Sequence, residues 1–323
     1  MLDYRNDDFY IGEEDYKEKM TTLVEPFIDT VEDGYFLTDD HTKIHYYYKV
    51  NPEEKGAIVI SHGFCEFFGK FYETAYYFYQ AGYSVFFIQH RGHELSGRVV
   101  EDKDMVYVKS YDEYVSDLHQ FITEVVKVKS ATGKIFLWSH SMGGLIASLY
   151  IEEHPDVITA AALCSPMHRI NYGVREWVAS TIVNIAMLLG MDKKYGPGQT
   201  GYHGQYDPEH SSEMSYARYD YYANMRATRE ECTMYGGSYA WVKAGIKATK
   251  KCLKNASSIN TPFLLCEGEK DTMVDNTGHD DFLKAAGSDN RIIYEGSKHE
   301  MYAATPEIRK KFFIDVLDYY GKF

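Results

Sequence analysis

The residues most able to do chemistry lie between positions 139 and 144, in the run Ser-His-Ser-Met-Gly-Gly. Apolar, β-prone residues at 135–138 precede this run, and apolar residues at helical spacing follow it as far as Pro155. A serine at the tip of a strand–turn–helix projects its hydroxyl from a strained backbone, and the chain folds back so closely that small residues must flank it. Gly143 is one of these. The pattern predicts a nucleophile at Ser141, whereas the alternative is an ordinary helix start capped by serines.

A nucleophilic serine needs a base and an acid that orients the base. In an open parallel sheet such groups lie at the carboxyl ends of the strands. Asp271 follows the predicted strand 262–266, and His299 directly follows the last predicted strand, 291–294. Their separation of 28 positions accommodates one helix and one strand. We therefore predict Asp271 as the acid and His299 as the base.

Other residues compete for these two roles. Asp275, Glu267 and Glu269 lie in or beside the same loop as the predicted acid, and Asp275 could simply cap the helix that follows. His279 is predicted to lie within that helix and on the surface of the protein, which disfavours it as the base. Position in the loop favours Asp271.

Cleavage of an acyl bond also needs hydrogen-bond donors aimed at the developing oxyanion. One candidate is the backbone N–H of Met142, directly after the serine. The second is the backbone N–H of Phe64, in the loop that follows the predicted strand 57–60. We interpret His62, in the same loop, as a structural residue that fastens the loop.

Three histidines raise the question of a metal site. His62, His90 and His93 come from two different loops, with no carboxylate at helical spacing. This arrangement does not match the usual spacing of metal ligands, so no metal is expected. Hydrolysis through a serine needs no cofactor either.

Alternating strand and helix patterns indicate how these residues are positioned. The alternation is regular up to residue 164 and is typical of a parallel, doubly wound sheet. After residue 166 it stops, and two helical patterns, 174–189 and 239–253, take its place. We predict a core in residues 1–165 and 259–323, interrupted by a helical cap at 166–258.

The first helix of the predicted cap is apolar on more than one face over residues 177–189. Such a helix either forms the core of the cap or lines an acyl channel above Ser141. In the second interpretation, Tyr195, Tyr202 and Tyr206 in the neighbouring loop would supply hydroxyl groups to a polar head group.

Composition restricts the class of partner. A net charge of −14 over 323 residues argues against nucleic acid and against electrostatic capture by anionic lipid surfaces, although transient contact with a membrane surface stays open. The longest apolar run, 177–191, is too short for a transmembrane segment. The acidic beginning of the chain does not resemble a signal peptide. Five scattered cysteines indicate reduced thiols and a cytoplasmic location.

Four stretches resemble the lysophospholipase and monoacylglycerol lipase branch of the serine α/β-hydrolases. They are HGFCEFFGKF at 62–71, WSHSMGGL at 138–145, EGEKDTMVDN at 267–276 and GSKHEMYAAT at 296–305. The resemblance extends over most of the chain from about residue 30 onward. It implies a mostly parallel sheet flanked by helices, a helical cap, and hydrolysis of lipid-like carboxylic esters through an acyl-serine.

In this family pattern Ser141, Asp271 and His299 form the catalytic triad, and Phe64 and Met142 donate to the oxyanion. Two departures stand out. Ser139 replaces the usual glycine two positions before the nucleophile, and Glu94-Leu95 occupies a loop where glycine is frequent. Neither removes a catalytic group. A general carboxylesterase, or a non-hydrolytic binding protein on the same fold, stays an alternative.

Overall fold

Ten strands form the sheets of the computed structural model, which describes residues 3–323. Their bounds are β1 Glu32–Leu37, β2 Lys43–Lys49, β3 Ala57–Ser61, β4 Ser84–Ile88, β5 Met105–Val106, β6 Ile135–His140, β7 Ala160–Cys164, β8 Gly236–Gly237, β9 Phe263–Gly268 and β10 Arg291–Tyr294. Eight of them make one sheet in the order β1-β2-β4-β3-β6-β7-β9-β10, and β5 pairs with β8 separately.

The main sheet is parallel from β4 to β10. Every residue of β3, β4, β6, β7 and β9 is buried. Continuous burial is what a parallel sheet covered on both faces requires, and it explains why these strands are apolar throughout. A hairpin forms one edge of the sheet, with β1 and β2 antiparallel from Glu32↔Tyr48 to Leu37↔Lys43. The predicted fold class is confirmed.

Helices cover both faces of this sheet. Their bounds are α1 Tyr16–Lys19, α2 Glu25–Ile28, α3 Tyr72–Gln80, α4 Tyr111–Phe121, α5 Lys127–Lys129, α6 Met142–Glu153, α7 Glu176–Leu188, α8 Tyr216–Thr228, α9 Tyr239–Asn255, α10 Thr277–Ala286 and α11 Pro306–Tyr320. A π-helical turn joins α1 to α2 and another joins α4 to α5, so each pair is one continuous run. Within residues 3–323, none of the helices has the length and apolar character that a bilayer span requires.

Three helices, α7, α8 and α9, lie between β7 and β9 in the chain. The sequence pattern identified α7 and α9 but missed α8. The α8 sequence, YARYDYYANMRAT, mixes tyrosines with charged residues and has no clear apolar period. The pattern also missed β8, whose two glycines pair with β5 and join the inserted segment to the core.

The segment before β1 fastens α8 to the core. The Glu13 carboxylate accepts hydrogen bonds from the Ser215 hydroxyl, at 2.8 and 2.7 Å, and from the Ala217 N–H, at 3.0 Å. The Ile11 carbonyl accepts from Arg218 at 3.0 Å and from Arg309 at 2.7 Å. The N-terminal segment therefore caps a helix of the insertion.

Candidate active site

Ser141 lies in a sharp turn between β6 and α6. Its φ of 52° and ψ of −115° lie in a region of backbone conformation that residues other than glycine rarely adopt. Its N–H donates to the Cys164 carbonyl at 3.0 Å, and its carbonyl accepts from the Met167 N–H at 2.9 Å. The end of β7 thus holds the strained residue from both sides, as functional strain requires.

The small residues beside the turn have a steric reason. A Cβ on Gly143 would lie 2.1 Å from the Ser61 carbonyl oxygen and 2.5 Å from that of His62, so only glycine fits. Two positions before Ser141, the side chain of Ser139 is accommodated. Its hydroxyl donates to the Ala162 carbonyl at 3.1 Å. The departure from the family pattern therefore leaves the turn intact.

His299 and Asp271 form a close pair. Nδ1 of His299 lies 2.5 Å from Oδ2 of Asp271, whose Oδ1 accepts from the N–H groups of Met273 at 2.8 Å and Val274 at 3.1 Å. Burial would raise the pKa of Asp271, but the hydrogen bond to His299 and these backbone donors outweigh it and lower the pKa. Burial also lowers the pKa of His299, and Asp271 opposes this only in part.

The competing acids have other partners. Oδ1 of Asp275 accepts from the N–H and hydroxyl of Thr277, at 3.0 and 2.7 Å, and so satisfies the first N–H of α10. Glu269 accepts from the Gly296 N–H at 2.8 Å, and Glu267 lies 2.9 Å from Nδ1 of His279. Asp271 is the acid that meets His299.

The expectation for His279 was half right. It lies within α10 as predicted, but it is fully buried rather than on the surface. Its Nε2 lies 2.9 Å from the Pro166 carbonyl oxygen, on the face of α10 that packs against the core. A histidine held between Glu267 and this carbonyl has a structural role.

Ser141, His299 and Phe64 line one cavity of about 470 Å³. This volume lies within the usual range for small-molecule sites. Met142 is the first residue of α6, directly after the nucleophile candidate, and is itself buried. The structure therefore brings the predicted nucleophile, base and oxyanion loop to the same space.

Glu66 is a site residue that the sequence reasoning missed. Its Oε2 accepts from the Gly63 N–H, its Oε1 accepts from the Tyr302 hydroxyl at 2.9 Å, and Nδ1 of His140 lies 3.1 Å from Oε1. Burial would raise the pKa of Glu66, but the charges of His140 and Lys70 outweigh it and hold that pKa well below its usual value. Glu66 fixes the loop that carries Phe64, and the signal was an acid four residues after His62.

A charged cluster forms one wall of the cavity, and we call it the acidic wall. Nζ of Lys70 lies 3.2 Å from Glu66, 2.9 Å from Glu213 and 2.7 Å from Glu300. Burial and the charge of Glu213 raise the pKa of Glu300 to about 7. These residues come from three distant segments of the chain, so sequence pattern could not group them.

The rings of the three histidines considered as metal ligands bind protein groups, and Nε2 of His90 lies 2.9 Å from the Ser61 hydroxyl oxygen. Nε2 of His62 accepts from the His90 N–H at 3.0 Å, and Nε2 of His93 accepts from the Cys65 N–H at 3.2 Å. Burial lowers the pKa of His62 to about 4, so the ring is neutral at pH 7. These contacts fit the interpretation of His62 as a loop fastener. Within residues 3–323, no group of three His, Cys, Asp or Glu side chains is arranged to hold a metal ion.

Of the two interpretations of the apolar helix α7, the acyl channel finds no support. Leu188 is 87% exposed and Trp177 is 66% exposed, and the cavity is lined instead by α8 and the loop before it. Tyr202 lines the cavity as expected. Tyr195 and Tyr206 do not, because their hydroxyls donate to Asp102 and Asp220. One face of α7 is buried through Ala179, Val183 and Ala186, as the alternative interpretation expects, and the other apolar face is exposed to solvent.

A serine on a strained strand–helix turn, a histidine bonded to an aspartate and a parallel sheet that carries both define a serine hydrolase with the α/β-hydrolase fold. The chain belongs to the Hydrolase_4 family, described as serine aminopeptidase, S33, whose model matches residues 52–305.

The sequence is similar to those of other proteins over most of its length. Lysophospholipase L2 of Escherichia coli K12 is 29% identical over 276 residues, which is 82% of this chain and 80% of that protein. The monoglyceride lipase homolog of Monkeypox virus is 31% identical and covers 82% of this chain and 88% of its own. The solved monoglyceride lipase of Saccharomyces cerevisiae has a TM-score of 0.69 at 20% identity, over 91% of this chain and 96% of that one.

Proposed function

We propose that this chain hydrolyses carboxylic esters of lipid-like substrates, lysophospholipids or monoacylglycerols, through an acyl-serine intermediate. Ser141 is the nucleophile, His299 the base and Asp271 the acid that orients it. The observation that carries the proposal is the His299–Asp271 pair, 2.5 Å apart, at the cavity that Ser141 also lines. The names of the relatives support a lipid ester as substrate.

The mechanism follows from these positions. His299 takes the hydroxyl proton of Ser141 as the oxygen attacks the ester carbonyl. The backbone N–H groups of Phe64 and Met142 hold the negative charge that develops on the carbonyl oxygen. The carbon–oxygen bond to the alcohol breaks, and the alcohol leaves with the proton from His299. Water then attacks the acyl-serine by the same route and releases the fatty acid. No step needs a metal or a cofactor.

A hydrolysis panel tests this function. Purified protein is offered a lysophospholipid, a monoacylglycerol, p-nitrophenyl butyrate and an aminoacyl anilide, with Ser141→Ala as the matched control. We expect hydrolysis of the lipid esters and a loss of about 10⁴-fold or more in the variant. Cleavage of short esters alone would favour a general carboxylesterase. Cleavage of the anilide alone, or of nothing by folded protein, would contradict the proposal.

The cap of this enzyme comprises residues 166–258, and the enzyme works in the cytoplasm. All five cysteines are buried and unpaired, which supports a reducing compartment.

The cap also makes transient contact with a membrane surface. Trp177, Ile185 and Leu188 of α7 are exposed, and α9 carries five lysines and no acid in a chain whose net charge is −14.

Lysine and apolar side chains lie together on this face, since Lys250 of α9 pairs with Glu176 of α7 at 2.8 Å. Sedimentation with phosphatidylcholine vesicles, with and without phosphatidylglycerol, tests the contact. We expect Leu188→Glu to weaken binding and Val128→Glu, an exposed apolar position away from α7, to leave it unchanged. Equal binding by both variants would contradict a docking role for α7.

A further inference from the structure

The direction in which the alcohol leaves is set by His299. The histidine that accepts the serine proton later gives it to the leaving oxygen, so the alcohol half of the ester lies on the His299 side of the cavity. Glu300 is the next residue in the chain, and with Glu66, Lys70 and Glu213 it forms the acidic wall. The head group of the substrate therefore leaves past this wall.

The acidic wall has unused capacity to accept hydrogen bonds. Three carboxylates surround a single ammonium group, and all four side chains are at most 9% exposed. Among the residues that the structure describes, none donates a hydrogen bond to Oε2 of Glu213 or to Oε2 of Glu300. Buried acceptors without a donor are rare and unfavourable. Both residues line the cavity, so a ligand with positive charge and N–H groups would satisfy them.

The same cavity also presents a cation. Arg226 lines it, and its guanidinium donates to the carbonyl oxygens of Met234 at 2.7 Å and of Cys65 at 2.8 Å. These partners are uncharged, so the positive charge of Arg226 is available to an anion. A guanidinium suits phosphate because its planar N–H groups match two phosphate oxygens.

We propose that the cavity recognises a zwitterionic head group, in which Glu213 and Glu300 bind the ammonium and Arg226 binds the phosphate. This inference rests on the proposed ester hydrolysis and narrows its substrate to lysophospholipids that carry an amine. A monoacylglycerol leaves both charged sets without a partner. A lysophospholipid without an amine can still place its phosphate on Arg226, but it leaves the free oxygens of Glu213 and Glu300 without a donor, and Lys70 is one cation against three carboxylates.

Two substrates that differ in the amine alone test this. Lysophosphatidylethanolamine and lysophosphatidylglycerol share the phosphate and, by choice, the acyl chain. We expect kcat/KM to favour the ethanolamine ester by about tenfold or more, the effect of one charge-assisted hydrogen bond. Glu213→Gln should bring the ratio close to one. Glu209→Gln, an exposed acid four residues away, should keep it.

Two more variants complete the experiment. Glu300→Gln removes charge from the other half of the ammonium site. If Glu213→Gln does not fold, this second variant still allows the ratio of kcat/KM between the ethanolamine and glycerol lysophospholipids to be measured. Arg226→Gln should lower hydrolysis of both phospholipids relative to a monoacylglycerol of the same chain length. A ratio near one in the parent enzyme, or one that both glutamine variants leave unchanged, would overturn the head-group assignment. Failure to cleave p-nitrophenyl butyrate as well would instead refute the proposed function.

Discussion

The turn at Ser141 makes a strong prediction about Gly143. In Gly143→Ala the new Cβ would lie 2.1 Å from the Ser61 carbonyl oxygen, whereas real Cβ contacts shorter than 3.0 Å essentially never occur. The obstacle is backbone of β3, which is buried at every position and cannot rotate away. The start of α6 must therefore move by about 1 Å, and with it the Met142 N–H and the serine.

The size of the effect follows from this movement. A displacement of about 1 Å at reacting groups costs about 100-fold in rate, and overpacking costs about 1–3 kcal/mol of stability. Ser139→Gly is the matched comparison on the other side of the turn. It loses one hydrogen bond to Ala162 and adds backbone freedom, which together cost about 1–2 kcal/mol. Its catalytic geometry stays in place, so its rate should change only a few-fold.

Ester hydrolysis and thermal unfolding, measured on both variants, separate a loss of catalytic rate from a loss of stability. We expect Gly143→Ala to be folded but at least about 100-fold slower, and Ser139→Gly to be less stable but active. If folded Gly143→Ala turns over at the parent rate, the close approach of α6 to β3 does not position the nucleophile and the reasoning is wrong.

Three further predictions concern protons and the N-terminal segment. Because the base must be neutral and burial lowers the pKa of His299, the acid limb of a kcat/KM–pH profile should lie below the ordinary histidine value of about 6.5; a midpoint above 7 would contradict this. The pKa of His62 is about 4 when folded, so the unfolded chain binds that proton first as the pH falls. Denaturant titrations should show the free energy of unfolding falling by at least about 3 kcal/mol between pH 6.5 and 4, because burial also lowers the pKa values of His90, His93 and His168; an unchanged stability would be evidence against neutral buried rings. Glu13→Gln removes a charged cap from α8 and should lower Tm by about 2 °C, whereas exposed Glu14→Gln should not; equal values would show that the capping contact is unimportant.

The features that sequence predicted well are those that depend on local pattern. The strands of the core are apolar at successive positions because both faces are covered, and that pattern can be read without a structure. The turn at Ser141 was recognisable because steric crowding restricts position 143 to glycine. Asp271 and His299 were predicted from their place after strands, and the structure puts them 2.5 Å apart.

What sequence missed depends on tertiary contacts or on an unusual environment. Lys70, Glu213 and Glu300 are far apart in the chain, and only the fold brings them to one wall. His279 is predicted to lie on the surface, but Glu267 and the Pro166 carbonyl oxygen satisfy both of its ring nitrogens in the interior, and neither partner can be recognised from the sequence. The apolar helix α7 was expected to be buried or to line a channel, yet Leu188 faces outward.

Covalent labelling with a fluorophosphonate tests the central claim most directly, because the reagent reports an activated serine whatever the natural substrate is. We expect one adduct per chain, located by peptide mass spectrometry at Ser141, and none on Ser141→Ala that is shown to be folded. Folded parent protein that takes up no label, or a label found on another residue, would contradict the assignment of Ser141 as the nucleophile.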